Sequence, residues 1–186
     1  MRIIGGALRG RPLHAPPGHA VRPTADRTRQ ALFNLLEHGK LTSTGARVAG
    51  ATVLDAFAGT GALALEALSR GAEHATLIEN DRTAVAAARA NAEALGLAAA
   101  THILQADARR PPPAARPATL IFLDPPYGQG LAEQALAALQ AAGWVAADAL
   151  IAIETGSKEA LQPVPGFAIQ DHRRYGRAAV WLLTLE

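Results

Sequence analysis

Short apolar runs alternate with amphipathic stretches along the chain from residue 52 onward. Apolar runs with little alternation are typical of strands that are covered on both faces of a sheet. The pattern predicts seven strands, at residues 52–57, 74–79, 102–106, 119–123, 149–154, 167–173 and 178–185. Between these runs, apolar residues at helical spacing predict helices at residues 62–70, 82–95 and 131–141.

This succession of strands and helices predicts an α/β fold with a doubly wound, seven-stranded and mostly parallel sheet. Only residues 174–177 separate the last two strands, so these strands should form an antiparallel hairpin. A plain dinucleotide-binding fold ends differently. Residues 108–118 are rich in proline, and we expect no helix there.

The first 45 residues depart from this pattern. Residues 1–25 are extended pieces broken by glycine and proline, which predicts a β-hairpin or arm. A helix should follow at residues 27–38, with its N-terminal cap within Thr24-Ala25-Asp26 and its end at Gly39. We therefore expect two units, an N-terminal arm and helix at residues 1–45 and a larger α/β body at residues 46–186.

Positive charge is concentrated in the first 29 residues, although the whole chain has a formal charge of only +2. These residues include six arginines and one aspartate, a balance of +5, whereas the rest of the chain carries −3. Arginine suits bidentate contact with phosphate and stacking on bases, so this segment is a candidate RNA contact. A solvated basic arm without a ligand is the alternative. The candidate RNA-binding residues are Arg9, Arg11, Arg22, Arg27 and Arg29.

Composition excludes several classes of protein. The absence of cysteine excludes disulfides, thiol nucleophiles and zinc ribbons. The six histidines show no metal-ligand spacing, so we expect no metal site. No stretch reaches the roughly 20 apolar residues of a membrane span, and the first residues lack the apolar core of a signal peptide. We therefore expect a cytoplasmic protein without a membrane partner.

The segment Asp124-Pro125-Pro126-Tyr127 follows a predicted buried strand and carries the most specific chemistry. Its prolines stiffen the turn and leave carbonyl groups free to accept hydrogen bonds. Asp124 and the Pro125 carbonyl could accept both N–H bonds of an exocyclic amine while the base stacks on Tyr127. An aryl amine is a poor nucleophile, and accepting both protons favours a pyramidal nitrogen that can attack a methyl group. A proline-rich turn capped by aspartate is the alternative interpretation.

A second motif follows the first predicted strand. Gly59 and Gly61 permit a tight turn before a helix whose N-terminus presents N–H groups to a ligand. Glu79, at the end of the second strand, could accept hydrogen bonds from ribose hydroxyls. Asp107, after the third strand, could accept from an adenine amine or be a surface turn residue. The pattern predicts a cofactor that contains adenosine, and by itself it also suits a nicotinamide enzyme.

Together these motifs resemble those of the class I S-adenosylmethionine-dependent methyltransferases that modify amines. Further matches at residues 2–6, 9–11, 22–27, 32–34 and 55–63 narrow the resemblance to the RsmD family. Members of that family methylate the N2 amine of one guanine in bacterial 16S ribosomal RNA. The resemblance extends from the first residues to the last strand, and it implies a Rossmann-like class I methyltransferase fold.

The resemblance also implies roles for individual residues. The arginine-rich arm would follow the RNA, and residues 24–29 would close over the methionine end of the cofactor. The implied cofactor-binding residues are Thr24, Phe57, Ala58, Gly59, Gly61, Glu79, Asn80, Asp107, Ala108 and Asp124. The implied catalytic residues, which would hold the guanine, are Asp124, Pro125, Pro126 and Tyr127.

The family substrate is guanine 966 of 16S ribosomal RNA, and the implied partner is an assembling small ribosomal subunit. Three alternatives remain. A DNA adenine-N6 methyltransferase would use the same loop, but such enzymes usually need an added target-recognition domain. A nicotinamide-dependent dehydrogenase would explain the glycines and Glu79 but not Asp124-Pro125-Pro126-Tyr127. A non-catalytic RNA-binding assembly factor would not need an intact cofactor motif.

Overall fold

A computed structural model describes residues 1–15, 23–39 and 47–186 of the chain. The helices are α1 Pro23–His38, α2 Ala62–Ser69, α3 Arg82–Ala94 and α4 Leu131–Ala141, with a 3-10 turn at Ala98–Ala100. The strands are β1 Thr52–Ala56, β2 His74–Glu79, β3 Thr101–Gln105, β4 Ala118–Leu123, β5 Val145–Gly156, β6 Phe167–Tyr175 and β7 Ala178–Leu185. The expected boundary between two units, at residues 45 and 46, lies outside the described residues.

These strands form one seven-stranded sheet in the order β3-β2-β1-β4-β5-β7-β6. The strands from β3 to β5 pair in parallel, and β7 pairs antiparallel with both β5 and β6. The predicted α/β sheet with a C-terminal antiparallel hairpin is confirmed. The strand order reverses between β1 and β4, which opens a crevice at the edge where the parallel strands end. We call this the carboxyl edge of the sheet.

Apolar side chains cover both faces of the sheet. Along β4, Leu120 and Phe122 point to the face that α1, α2 and α3 cover, and Ile121 and Leu123 point to the face that α4 covers. All four side chains are buried, as expected for a parallel strand between two helical layers. The short apolar runs of the sequence thus correspond to strands with two covered faces.

Helix α1 begins four residues earlier than predicted, at Pro23. Proline is favourable in the first turn because its missing N–H needs no partner there. Thr24-Ala25-Asp26 therefore lies within the helix, and the predicted cap at this place is wrong. Residues 106–117 contain no helix, in agreement with their prolines. Of the helices in the described ranges, none has the length and apolar character needed to cross a bilayer.

The first residues form a short hairpin that is closed by a bridge between Arg2 and Pro12. We call residues 1–13 the N-terminal hairpin. It is docked on α2, where the two carboxylate oxygens of Glu66 accept the backbone N–H groups of Ile4 and Gly5, both at 2.7 Å. The segment is therefore packed against the body of the protein and is not an extended arm.

A buried charge cluster joins the N-terminal hairpin to helices α1 and α2. Glu66 is completely buried and lies 2.8 Å from the Arg70 Nε and 3.8 Å from the Arg29 Nε. Arg70 also pairs with Glu37 at 2.8 Å and lies over the ring of Phe33, 4.8 Å from its centroid. A buried carboxylate needs such partners because its desolvation is costly. These contacts fix the hairpin to the protein.

Candidate active site

A cleft of about 740 Å³ lies at the carboxyl edge of the sheet. It brings together most of the predicted site, because its walls include Phe57, Gly59, Glu79, Asn80, Asp107, Asp124, Pro125, Pro126 and Tyr127. Three further lining residues were not nominated from the sequence, namely Arg109, Gln129 and Leu131. Residues from successive strand ends thus share one cavity, as expected for an open α/β sheet.

The turn between β1 and α2 has an unusual backbone. Phe57 has a φ of 73°, and among the described residues it is the only one other than glycine with a positive φ. Its N–H and that of Ala58 both donate to the Ile78 carbonyl, at 3.0 and 3.1 Å, which holds the strained turn in place. Gly61 has a φ of 80°, and a Cβ there would lie 2.8 Å from Leu77 Cδ2. Glycine is therefore required at position 61, because other residues are strained at this φ and because a Cβ would lie too close to Leu77.

The Glu79 carboxylate fixes this turn from the end of β2. One oxygen accepts the N–H of Gly59 and the other accepts the N–H of Asp81, both at 2.8 Å. Each carboxylate oxygen can accept a further hydrogen bond. Glu79 can therefore hold the glycine turn and still accept from ligand hydroxyl groups in the cleft.

Asp55 lies beneath the same turn and is almost completely buried. Its carboxylate accepts the N–H of Ala64 in α2 at 3.0 Å. Burial, with a smaller contribution from the nearby Glu79, raises the pKa of Asp55 to about 7. Asp55 was not among the residues predicted from the sequence, although a carboxylate inside an apolar strand is a recognisable signal.

Asp107 is paired with Arg109 at the far wall of the cleft. The guanidinium donates to both carboxylate oxygens, at 3.0 and 2.7 Å, and the Arg109 backbone N–H donates to one of them at 2.9 Å. These hydrogen bonds lower the pKa of Asp107. Ala108, between them, is buried. Asp107 lies in the cleft, as the sequence predicted, but its partner Arg109 was not among the predicted residues.

The loop that contains Asp124 is tied to the end of β5. The Tyr127 hydroxyl donates to Glu154 Oε1 at 2.6 Å. Glu159 accepts from the backbone N–H groups of Gly128, at 2.9 Å, and Gly156, at 3.2 Å. Neither glutamate was predicted from the sequence, because their contacts with the loop that contains Asp124 span about 30 residues of the chain. These contacts hold the aromatic ring at the mouth of the cleft.

Asp124 is exposed to the cleft but is surrounded by protein on its other sides. This partial loss of water raises the pKa of Asp124 well above its usual range, and the like charges of Glu154 and Asp55 raise it further. Burial also raises the pKa of Glu154, and the hydrogen bond from Tyr127 partly opposes that shift. Asp124 and Glu154 therefore titrate as an interacting pair.

The predicted RNA-binding arginines occupy different environments. Arg29 is only 5% exposed and donates to Asp26 and to the Arg2 carbonyl, so it is not available to RNA in this structure. Arg11 is exposed and donates to the Ala94 carbonyl at 3.0 Å. Arg22 and the side chain of Thr24 lie outside the described part of the structure.

Arg9 and Arg27 of the predicted set line a groove together with Arg2. The groove of about 480 Å³ separates the N-terminal hairpin from α1, and its walls include Arg2, Arg9 and Arg27. Gln30 and Asn34 of α1 add amide groups to the same wall. The structure thus places basic and amide side chains together on the outside of α1.

Asn91 connects the N-terminal segment to the glycine turn. Its side chain is fully buried, and its amide exchanges hydrogen bonds with the backbone of His14 at 2.8 and 3.0 Å. The same amide donates to the Thr60 carbonyl at 3.0 Å. The segment that follows the hairpin is therefore fixed directly beside the candidate cofactor site.

Comparisons with known proteins agree with this geometry. The family model described as Conserved hypothetical protein 95 matches residues 1–184. Ribosomal RNA small subunit methyltransferase D of Escherichia coli K12 is 39% identical over 173 residues, which cover 89% of this chain and 79% of the relative. The protein of the same name from Haemophilus influenzae is 36% identical over 159 residues, covering 83% and 78%. The solved structure of yhhF from Escherichia coli matches with a TM-score of 0.82 and 37% identity, covering 100% of this chain and 98% of that one.

The sheet order, its C-terminal antiparallel hairpin and the cleft at the carboxyl edge define a class I methyltransferase fold. Within that class, the chain belongs to the RsmD family. The model of this family is the one described above as Conserved hypothetical protein 95.

Proposed function

We propose that this protein transfers a methyl group from S-adenosylmethionine to the exocyclic N2 amine of a guanine in 16S ribosomal RNA. The observation that carries the proposal is that the Asp124–Tyr127 loop opens into the same cleft as Gly59 and Glu79. The names of two relatives, at 39% and 36% identity, support ribosomal RNA as the substrate. We further propose guanine 966 as the target, within an assembling small subunit in the cytoplasm.

The residues present suit S-adenosylmethionine. A Cβ on Gly59 would meet no atom within 4 Å, so the turn from Phe57 to Gly61 leaves room for the methionine end of the ligand. Glu79, with Asn80 beside it, would bind the ribose hydroxyls. Asp107 and the Ala108 backbone would bind the adenine, since the Asp107 oxygen that accepts only one hydrogen bond from Arg109 can accept a second one. When bound, S-adenosylmethionine supplies an electrophilic methyl group.

Asp124 and Pro125 would prepare the amine for attack. Their oxygens accept the two N–H bonds, which favours a pyramidal nitrogen and exposes its lone pair. The nitrogen becomes positively charged once it is methylated, and the ionised Asp124 carboxylate is placed to stabilise that charge and receive one proton. Tyr127 would support the face of the base at the mouth of the cleft.

The groove between the N-terminal hairpin and α1 would bind part of the RNA. Arg2, Arg9 and Arg27 provide exposed positive charge there, and Gln30 and Asn34 provide amide groups for sugars or base edges. We do not include Arg29 in this proposed contact, because its guanidinium is buried in the charge cluster with Asp26 and Glu66.

Methyl transfer to two forms of the substrate tests the proposal. Labelled S-adenosylmethionine is incubated with deproteinised 16S RNA or with partly assembled small subunits, and the modified nucleosides are separated after digestion. We expect label in N2-methylguanosine, with more transfer to the assembled particle. Asp124→Ala should abolish transfer without loss of the fold, whereas Asp124→Asn should retain a small part because its amide oxygen still accepts one bond.

Three results would contradict the proposal. Labelled N6-methyladenine in DNA would favour the adenine methyltransferase. Failure to bind S-adenosylhomocysteine in calorimetry would favour a non-catalytic assembly factor. Normal turnover by Asp124→Ala would remove Asp124 from the reaction.

A further inference from the structure

The turn of the C-terminal hairpin lies at the same sheet edge as the cleft. We call residues 174–177, which include the last two residues of β6 and the turn to β7, the hairpin tip. Ala178 pairs with both Gly156, at the end of β5, and Tyr175, at the end of β6. Because β5 is parallel to β4 and ends at the carboxyl edge, the hairpin tip also lies at that edge. It is therefore beside the loop that contains Asp124.

A continuous set of contacts joins the hairpin tip to Tyr127. The Arg177 carbonyl accepts the Ser157 N–H at 2.8 Å. The neighbouring Gly156 packs under the Tyr127 ring, since a Cβ on Gly156 would lie 3.7 Å from Tyr127 Cδ2. Glu159 then connects the backbone of Gly156 to that of Gly128. The tip is thus held at a fixed position relative to the aromatic ring that would support the base.

Three cations at this place are exposed and have no acidic partner among the described residues. They are Lys158, Arg174 and Arg177. The nearby acids are already engaged, because Glu154 accepts from the Tyr127 hydroxyl and Glu159 accepts from two backbone N–H groups. The side chains of these three cations therefore form no ion pair within the described residues and remain available to an anionic ligand.

The groove at the N-terminal hairpin is placed differently. The Ala7 N–H donates to the Ser69 carbonyl, at the last residue of α2, at 2.7 Å. Helix α2 begins at the carboxyl edge and runs back along the sheet, so its last residue lies toward the opposite edge. The part of the hairpin near Arg9 is therefore farther from Asp124 than the hairpin tip is. The hairpin tip is therefore better placed than this groove to contact the RNA beside the target nucleotide.

We propose that Lys158, Arg174 and Arg177 bind the phosphodiester backbone of the RNA strand next to the methylated base. This inference rests on the proposed function, because it takes RNA as the substrate of the cleft. Arginine forms paired hydrogen bonds to phosphate oxygens, and charge contacts of this kind position a strand without reading its sequence. The tip therefore holds the strand in register while the loop at Asp124 receives the base.

The double variant R174A/R177A tests the inference by the salt dependence of RNA binding. Each phosphate contact on single-stranded RNA contributes about −0.7 to the slope of log affinity against log salt, so the slope should become less steep by about 1.4. The KM for RNA should rise, kcat at saturating RNA should change little, and the affinity for S-adenosylhomocysteine should not change. The charge-retaining variant R174K/R177K should keep most of the wild-type slope.

The matched control is R89A/R116A, which removes two exposed arginines elsewhere on the surface. Arg116 precedes β4 and so lies at the opposite edge of the sheet. This variant should keep the wild-type slope. If the wild-type protein methylates 16S RNA but R174A/R177A keeps its slope and KM, the inference is wrong and the proposed function stands. If the wild-type protein neither binds nor methylates RNA, the proposed function itself fails.

Discussion

Tyr127 uses its ring and its hydroxyl for different contacts. The ring lies over Gly156, and the hydroxyl donates to Glu154 at 2.6 Å. From base stacking alone, Tyr127→Phe would be nearly silent, because phenylalanine keeps the ring. The structure changes this expectation, since the variant loses a hydrogen bond to an acidic group, and such bonds contribute about 1.5–3 kcal/mol.

We therefore predict that Tyr127→Phe lowers kcat/KM for RNA methylation by about tenfold, which corresponds to roughly 1.4 kcal/mol. Tyr127→Ala should lower it further, because the platform for the base is lost as well. Calorimetry with S-adenosylhomocysteine should show unchanged binding in both variants. Equal loss of cofactor affinity and RNA methylation would place the ring against the cofactor.

The interaction between Asp124 and Glu154 predicts the pH dependence of the reaction. Only the ionised Asp124 carboxylate can stabilise the methylated nitrogen and receive its proton, and its pKa is raised, so activity should fall as the pH decreases through that raised pKa. Glu154→Gln removes a like charge and keeps an acceptor for the Tyr127 hydroxyl. The acid limb of the profile of kcat/KM against pH should then move to lower pH. Glu93→Gln, an exposed change on α3, should leave the limb in place.

At the scale of elements, the turn from β1 to α2 depends on Gly61. Gly61→Ala adds two penalties, a positive φ that costs about 1–2 kcal/mol and a contact with Leu77 that costs about 1–3 kcal/mol. Gly96→Ala is the control, because Gly96 also has a positive φ but open space around it. Denaturant unfolding should show a greater loss of stability in Gly61→Ala. Equal losses would mean that the turn relaxes away from Leu77.

Local patterns explain which elements the sequence could predict. The predicted bounds of α4 and β7 match the observed ones because apolar spacing and flanking glycines are visible within a few residues. The start of α1 was wrong because Pro23 was taken as a break, although proline is also favourable in a first helical turn. Pattern reasoning is thus reliable within an element and weaker at its ends.

Contacts between distant elements explain what the sequence could not show at the site. The residues predicted at the ends of β1, β2, β3 and β4 line the cleft, because parallel strands end at the same edge of a sheet. The roles of Glu154 and Glu159 depend on how the loop after β4 meets the end of β5. The burial of Arg29 depends on the docking of the N-terminal hairpin. No local pattern contains this information.

At the scale of the whole molecule, Glu66 determines whether the N-terminal hairpin stays attached. Glu66→Ala would leave Arg29 and Arg70 without a buried acidic partner and remove the acceptor for two backbone N–H groups. Breaking a buried ion pair costs about 3–5 kcal/mol. We predict a loss of unfolding free energy of that size, together with faster hydrogen exchange at Ile4 and Gly5.

The comparison for this prediction is Glu73→Ala, an exposed change that should alter stability by no more than about 0.5 kcal/mol. If Glu66→Ala lost stability while exchange at the hairpin stayed slow, the apolar contacts of Ile3 and Leu13 would be sufficient to hold it.

The place of β7 between β5 and β6 has a consequence for how the protein is made. A nascent chain leaves the ribosome from its N-terminus, so β5 and β6 emerge before the strand that separates them. Until residues 178–185 are released, β5 has an unpaired edge and β6 has no neighbour in the sheet. An exposed edge of this kind can pair with other chains. The sheet therefore stays incomplete until residues 178–185 have been released, and until then the free edge of β5 is open to pairing with another chain.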